Sequence, residues 1–451
     1  MRVAVIGGGI SGLTVAYHLK KSWVDVTLFE ASDAVGGNIR TERRDGLILE
    51  NGPNSLLANR YIADLVNGLG LRDQVVAPNA SARHRYIVRG GRMVRLPSRV
   101  LGLFFNGAFS AKEKARLLFE PFIRGGSDAA ETVYDFFARR FGSEIADYAL
   151  DPFVSGIYAG DPRRLSVKQA FPRLYELEQG FGSLTLGAIL GKKDRSLSPP
   201  RGFPRSFTFK DGVATLVSAL EAELGEAIRL NSPVFDIKRE CERYVLLLET
   251  GRPTFDAVVV STPSFAASDL VREMDQLLAA ALDSVTYPPI SVVYTTFTSE
   301  QVKAAPEGFG VLIPAKEKRQ ILGSLFNSSV FEGRAPAGYH LFTTFIGGSR
   351  NAELGDRPED ELAGTAAEEL KRLLNIQGAP SFSSVKKWKR SIPQYNVGYD
   401  GVLNAIEAFR GQNPGIYFCS NFYKGISVGD CVRNGALTAG EIVEFQGGLI
   451  K

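Results

Sequence analysis

Arg2-Val3-Ala4-Val5-Ile6-Gly7-Gly8-Gly9-Ile10-Ser11-Gly12-Leu13, followed by Val24 to Phe29 and then Glu30, is the stretch whose reading decides the fold. Arg2 to Ile6 is a short apolar run rich in β-branched residues, as a buried strand requires. Leu13, Ala16, Tyr17 and Leu19 then repeat with helical spacing, and Val24 to Phe29 forms a second strand ending in an acid. Gly7 permits the tight turn, Gly9 lets a pyrophosphate approach the backbone, and Gly12 lets the helix pack on the sheet. The free N–H groups and dipole of the helix start, from Gly8 through Ile10 and Ser11, suit phosphates. Glu30 stands 18 residues past Gly12, where a carboxylate beside Ala31 can accept the hydroxyls of an adenosine ribose.

Beyond that acid, Ala34-Val35-Gly36-Gly37-Asn38-Ile39-Arg40 supplies a second glycine pair, and Glu50-Asn51-Gly52-Pro53-Asn54-Ser55 a third turn. A nicotinamide domain would go directly to its next crossover helix. A second phosphate-level turn suits a long, extended dinucleotide, and FAD is the expected cofactor.

The chain has 451 residues, 44% apolar and 23% charged, a composition of a globular protein with two or three domains. Cys241, Cys419 and Cys431 have no metal-ligand spacing, and His18, His84 and His340 are scattered. No metal is expected. The first strand begins at once, so no signal segment is expected, and no apolar run approaches the roughly 20 residues that span a bilayer. The net charge of +4 implies no nucleic-acid partner.

Charge is unevenly placed. Ser81 to Arg124 holds ten basic residues, among them Arg83, Arg85, Arg99, Lys112 and Arg124, against Glu113 and Glu120. Leu101, Leu103, Phe104, Phe105, Phe109, Leu117, Leu118, Phe119 and Phe122 are interleaved with them. Cations with apolar rings suit an interfacial membrane segment. A helical subdomain with a solvated basic face fits the same composition, and the two readings stand level.

Helices are expected at 131–141, 144–153, 167–177, 213–224 and 356–374, with a last one from about 434 to 445. A Gly-rich break is expected at 155–161. Strands are expected at 206–209, in a meander over 232–260, in an antiparallel set at 290–297, 310–314, 321–326 and 340–346, and at 416–419. The expected fold class is α/β: a discontinuous Rossmann-like FAD-binding domain (1–80, 205–265, 385–451), a mixed α+β substrate domain (81–100, 266–384) and a helical, membrane-docking domain (101–204).

Four further blocks join the glycine turns. They are Gly156-Ile157-Tyr158-Ala159-Gly160-Asp161 with Leu165-Ser166, Gly308 to Pro314, Leu341 to Arg350, and Trp388 to Tyr395. In this order the motifs resemble the oxygen-dependent protoporphyrinogen oxidases of the flavin amine oxidase superfamily, particularly their plant mitochondrial branch. The resemblance runs from Met1 to the C-terminal helix.

It implies six-electron oxidation of protoporphyrinogen IX to protoporphyrin IX in heme biosynthesis, with dioxygen as acceptor and hydrogen peroxide released. Coproporphyrinogen III is the alternative substrate. An amine oxidase or desaturase, and a non-catalytic tetrapyrrole carrier, are more distant readings, disfavoured by the mid-chain and flavin-facing motifs. The family pattern carries the pyrophosphate onto Gly7, Gly9, Ser11 and Gly12, the ribose onto Glu30 and the adenine onto Val234. It puts the flavin ring near Gly52, Pro53, Asn54, Ser55, Trp388, Asn421, Ile426, Ser427 and Val428, and counts Gly37 and Asn38 among the cofactor-binding residues. Ser420 replaces a glycine common in the family, and Asn38 an arginine common in the superfamily. Arg85 matches an arginine that clamps a propionate, Leu325 and Leu341 match residues that sandwich a pyrrole, and Gly156 a wall contact; read without the resemblance, these are a surface arginine, core leucines and a loop glycine. No catalytic acid or base is expected. The partners implied are the porphyrinogen, dioxygen and a membrane face, with a homodimer left open, and the expected location is cytoplasmic, at the inner face of the cell membrane.

Overall fold

The computed structural model describes residues 1–97, 109–123, 125–126, 128–191, 194–302 and 306–449. Arg99, Leu101, Leu103, Phe104, Phe105 and Arg124, part of the basic and aromatic stretch, lie outside them.

A five-stranded, all-parallel sheet has the order Ile228–Arg229, Asp25–Phe29, Arg2–Ile6, Ala257–Val260, Ile416–Phe418. Its strands come from three distant parts of the chain, as expected. The central strands are apolar beyond their exposed first residues Arg2 and Asp25, with Thr27 as the exception, because helices cover both faces. On one face lie the helix Ile10–Lys21 and, packed against it, the long C-terminal helix Val428–Leu449. On the other lie Ser264–Val271, Gln276–Asp283 and Asp400–Gln412, which share a core with Ile6, Phe29 and Val260. The two helices over 264–283 therefore belong with this unit, although the sequence placed 266 onward in the substrate domain.

A seven-stranded sheet forms the second unit. Its order is Phe382–Trp388, Ile290–Thr298, Tyr339–Gly347, Gly323–Leu325, Gly310–Leu312, Arg85–Arg89, Arg92–Leu96. Every pairing is antiparallel except that of Gly310–Leu312 with Arg85–Arg89. The helix Glu359–Leu374 covers one face over Val293, Phe297 and Phe342. Phe382–Trp388 is continuous across the 384/385 boundary expected from sequence, so this strand belongs wholly to the second sheet.

Four local expectations are corrected. The meander over 232–260 is split: Thr254–Phe255 closes a small antiparallel sheet, whereas Ala257–Val260 enters the parallel one. One apolar run serves two sheets because Asp256 between them accepts from the Arg2 amide at 2.6 Å. The expected helix 167–177 is two helices, Val167–Ala170 and Pro172–Phe181, since Pro172 can start a helix but not continue one. The C-terminal helix starts at Val428, capped by Ser427, whose Oγ accepts the Asp430 amide at 3.1 Å. The expected break at Gly156 is helical: Ser143–Ile145, a π-turn at Ala146–Leu150 and Asp151–Tyr158 run on without interruption.

Candidate active site

The glycine turns converge. Gly9 is the N-cap of the first helix, with φ −70° and ψ 172°. A Cβ built on Gly9 meets nothing within 4 Å, whereas one on Gly12 collides with the Gly7 carbonyl oxygen. Gly12 thus serves packing, and Gly9 opens on free space of the kind a pyrophosphate needs. The Gly36 amide donates to the Gly8 carbonyl at 2.7 Å, bringing the second turn against the first. The Asn51 amide donates to the Arg40 carbonyl at 2.9 Å and joins the third turn to the second. Glu30 stands at the strand end; its carboxylate accepts the Gly8 amide (2.7 Å) and the Ser32 amide (2.9 Å). The Ser232 amide donates to the Glu30 carbonyl at 2.9 Å, which brings Val234 beside the acid. Ile10 and Ser11 are buried at the helix start, while Ala31, Gly37 and Asn38 line the exposed side. These turns border the trough that an extended dinucleotide would occupy.

The trough ends at the turn Asn421 to Val428, held by side chains that sequence reading did not single out. Tyr395 donates its hydroxyl to the Asn421 carbonyl (2.7 Å) and accepts the Gly425 amide (3.1 Å). Tyr399 donates to the Phe422 carbonyl at 2.6 Å, and Asn434 to the Lys424 carbonyl at 3.0 Å. Burial pushes both tyrosines well above their ordinary pKa, so they act as neutral donors. Tyr395 closes the Trp388 to Tyr395 block and Tyr399 lies beyond it, and nothing in the sequence says what either touches. Ser420 is buried beneath the turn with its side chain accommodated.

Sheet register assembles the rest. Cross-strand partners share a face, and the rows Arg85–Gly310–Leu325–Thr343–Tyr294 and Ile290–Trp388 lie on the same one. Leu341, two residues from Thr343, joins them. Arg85, Leu325, Leu341 and Trp388 are separated by as many as 303 positions in sequence, yet lie on one sheet face, where Leu341 is buried in a cluster with Leu47, Leu49, Val292 and Tyr294. Trp388 Nε1 donates to the Asn51 carbonyl at 2.7 Å, and the Tyr294 hydroxyl to the Glu50 carbonyl at 2.7 Å. Asn327 Nδ2 donates to Asn54 Oδ1 at 2.8 Å. Gly156 approaches from the helical side, where a Cβ would stand 2.5 Å from Leu312 Cδ2. Arg85 is exposed, its guanidinium 5.4 Å from the Phe309 ring, with no carboxylate partner among the described residues.

The loop is braced from below by a buried pair. Arg334 Nη1 meets Glu50 Oε1 at 3.1 Å, and Glu50 also accepts from Thr41 Oγ1 (2.6 Å) and the Val213 amide (2.9 Å). Burial raises the Glu50 pKa against the opposing pull of Thr41 and Arg334. Glu50 was within the third motif, but only Gly52 to Ser55 were read as site residues.

The family model described as flavin containing amine oxidoreductase matches residues 10–443. The chain belongs to that family. It is an FAD-dependent oxidoreductase, and the open space at Gly9 with the trough around it fits that cofactor. The chain is 37% identical to protoporphyrinogen oxidase 2 of Arabidopsis thaliana, over 98% of its own length and 94% of the relative's. It is 29% identical to the coproporphyrinogen III oxidase of Bacillus subtilis, over 98% of each chain. A crystal structure from Exiguobacterium sp. 255-15 superposes with a TM-score of 0.81 at 25% identity, over 98% of each chain.

Proposed function

We propose that this chain oxidises protoporphyrinogen IX to protoporphyrin IX in tetrapyrrole synthesis, on a surface formed by the seven-stranded sheet and the flavin-side turns. The observation that carries this reading is the shared face of Arg85, Leu325, Leu341 and Trp388. It places the exposed Arg85 beside apolar side chains, which suits a flat, greasy macrocycle with a carboxylate edge. Bound FAD supplies the two-electron acceptor, and dioxygen restores it. The protein orients and desolvates: Arg85 pairs with a propionate as a guanidinium fork, Leu325 and Leu341 press on a pyrrole, and Gly156 leaves room at the wall. No side chain acts as acid or base in this reading.

We further propose that the helical segment docks on an anionic membrane face. The turn Glu120–Phe122 packs against the helix Leu184–Leu190, and Phe122 is 83% and Ile189 73% exposed. Leu190 is exposed on the same helix, and Leu118 and Phe119 are exposed just before the turn. Lys112, Lys114 and Arg116 stand on the adjoining helix Ala111–Phe119. Among the described residues no helix is long and apolar enough to cross a membrane, so docking would be peripheral.

Steady-state rates with protoporphyrinogen IX and coproporphyrinogen III, measured side by side, test the substrate. Faster turnover of protoporphyrinogen IX is the expected result. A strong preference for the tetracarboxylate overturns that choice and leaves cofactor and reaction type standing.

A further inference from the structure

The wall that carries Leu325 and Leu341 contains buried polar atoms without a partner among the described residues. Asn327 begins the short helix Asn327–Val330, two residues past Leu325, and is 5% exposed. Its Nδ2 is engaged with Asn54 Oδ1 at 2.8 Å, on the flavin-side loop. Its Oδ1 is buried and accepts from no donor among the described residues. A buried amide oxygen left unpaired costs about 1–3 kcal/mol, and such an atom is expected to meet a donor when the site is filled. Across the strand pair from Leu325, Thr343 is fully buried on the same face, and its Oγ1 is also unpaired among the described residues.

The donor this oxygen awaits follows from the chemistry of the two groups that meet here. An isoalloxazine edge is rich in acceptors and carries a single N–H. A porphyrinogen carries four pyrrole N–H groups, and its saturated bridges let each ring tilt and present its N–H to one side. We infer that Asn327 Oδ1 accepts a pyrrole N–H of the porphyrinogen and, through Asn54, sets the tetrapyrrole's height above the flavin-side loop. This rests on the proposed porphyrinogen substrate. It adds a selectivity that an apolar sandwich cannot give. The oxidised product is planar and keeps its two remaining N–H groups within the ring, out of reach of a facial acceptor. Asn327 therefore favours the reduced substrate over the product and helps the product leave.

The test uses the holoenzyme and its Asn327→Leu and Asn327→Asp variants. FAD content, KM for protoporphyrinogen IX and Ki for protoporphyrin IX are measured for each. Losing one neutral hydrogen bond should raise KM about tenfold in the leucine variant, with Ki moving by less than about twofold and FAD retained. The aspartate variant, which keeps an oxygen acceptor at the same place, should hold KM within about threefold of the native value. Should the leucine variant fail to fold, Asn327→Ala carries the same expectation. KM and Ki rising together would mean a packing role, an unmoved KM no role, and lost FAD with normal KM a flavin contact; each overturns the inference. Absence of turnover in the unsubstituted enzyme overturns the substrate reading itself and is recognisable as such.

Discussion

The dinucleotide-binding unit and the helical segment divide polar from apolar in opposite ways. In the first, strands such as Arg2–Ile6 and Ala257–Val260 bury their aliphatic side chains, and the buried charge at Glu50 lies outside that sheet core. In the second, Arg140 is 0% exposed. It donates to Glu120 Oε1 at 3.1 Å, to the Gly182 carbonyl at 2.7 Å and to Glu178. Glu120 also accepts Ser183 Oγ at 2.7 Å and the Leu184 amide at 2.9 Å. Phe122 and Ile189 meanwhile face outward. A buried ion network is weak as a source of stability, but removing one member leaves its partners uncompensated. An apolar patch left outside is a contact surface. The first unit is built to close on a cofactor, the second to hold a rigid shape under a face that gains by meeting something apolar.

Gly9→Val should break the first half of this comparison most completely. The backbone at Gly9 is extended with empty space beside it, so the variant should fold, yet valine would occupy the pyrophosphate position. Purified protein should be colourless, and full recovery of flavin would sink the assignment of the turn. Arg140→Met should damage only the helical segment. Leaving Glu120 and Glu178 buried without their cation should cost about 3–5 kcal/mol. Limited proteolysis should open the segment at lower denaturant while the flavin stays bound, and simultaneous flavin release would show that the units are not separable.

Replacing Phe122 and Ile189 by Ser should weaken binding to anionic vesicles by about 10²- to 10⁴-fold, at about 1.5–3 kcal/mol for each large side chain withdrawn from an apolar phase. High salt should weaken native binding as well, by screening the lysines and Arg116. Indifference to both treatments returns the patch to an ordinary protein surface. Arg85→Ala should lower kcat/KM by about one to two orders of magnitude, mostly through KM, because the propionate contact exists before and during reaction. Esterified substrate should separate native from variant less than free acid does, and an unchanged KM with free acid removes Arg85 from the site.

The smallest effect concerns pH. Burial alone would raise the Glu120 carboxyl, but donors from Thr185, Ser183 and Leu184 outweigh it and hold the group below its ordinary value. A depressed carboxylate contributes stability above its unfolded pKa of about 4.3 and loses it as pH falls through the folded value. The helical segment should therefore become more protease-sensitive below about pH 4.3, and Glu120→Gln should flatten that acid limb. An unchanged acid profile in the glutamine variant would assign the loss to other carboxylates.

Much of the dinucleotide trough was legible in the sequence, residue by residue from Gly7 to Ser55, because glycine at a turn and an acid at a strand end are local statements. The helix over Gly156 was misread because Gly and Asp mark loops on average, while close packing against Leu312 favours glycine inside a helix. Arg85, Leu325 and Leu341 were named through resemblance, and nothing in their neighbourhoods distinguishes them from surface and core residues. Tyr395, Tyr399, Arg334 and Asn327 escaped notice because their roles are hydrogen bonds to backbone or side chains far away in the chain.

By itself the sequence determined the cofactor half: strand, glycine turn, helix, strand and acid lie within 30 residues, and their φ/ψ demands and free N–H groups are properties of that short piece. Only the tertiary structure decided the substrate face. Its members come from six strands between Arg85 and Trp388, and which side chains share a surface depends on register, where a slip of one residue turns an entire strand over. That information is held in backbone hydrogen bonds between distant segments, and it exists only once the chain has folded.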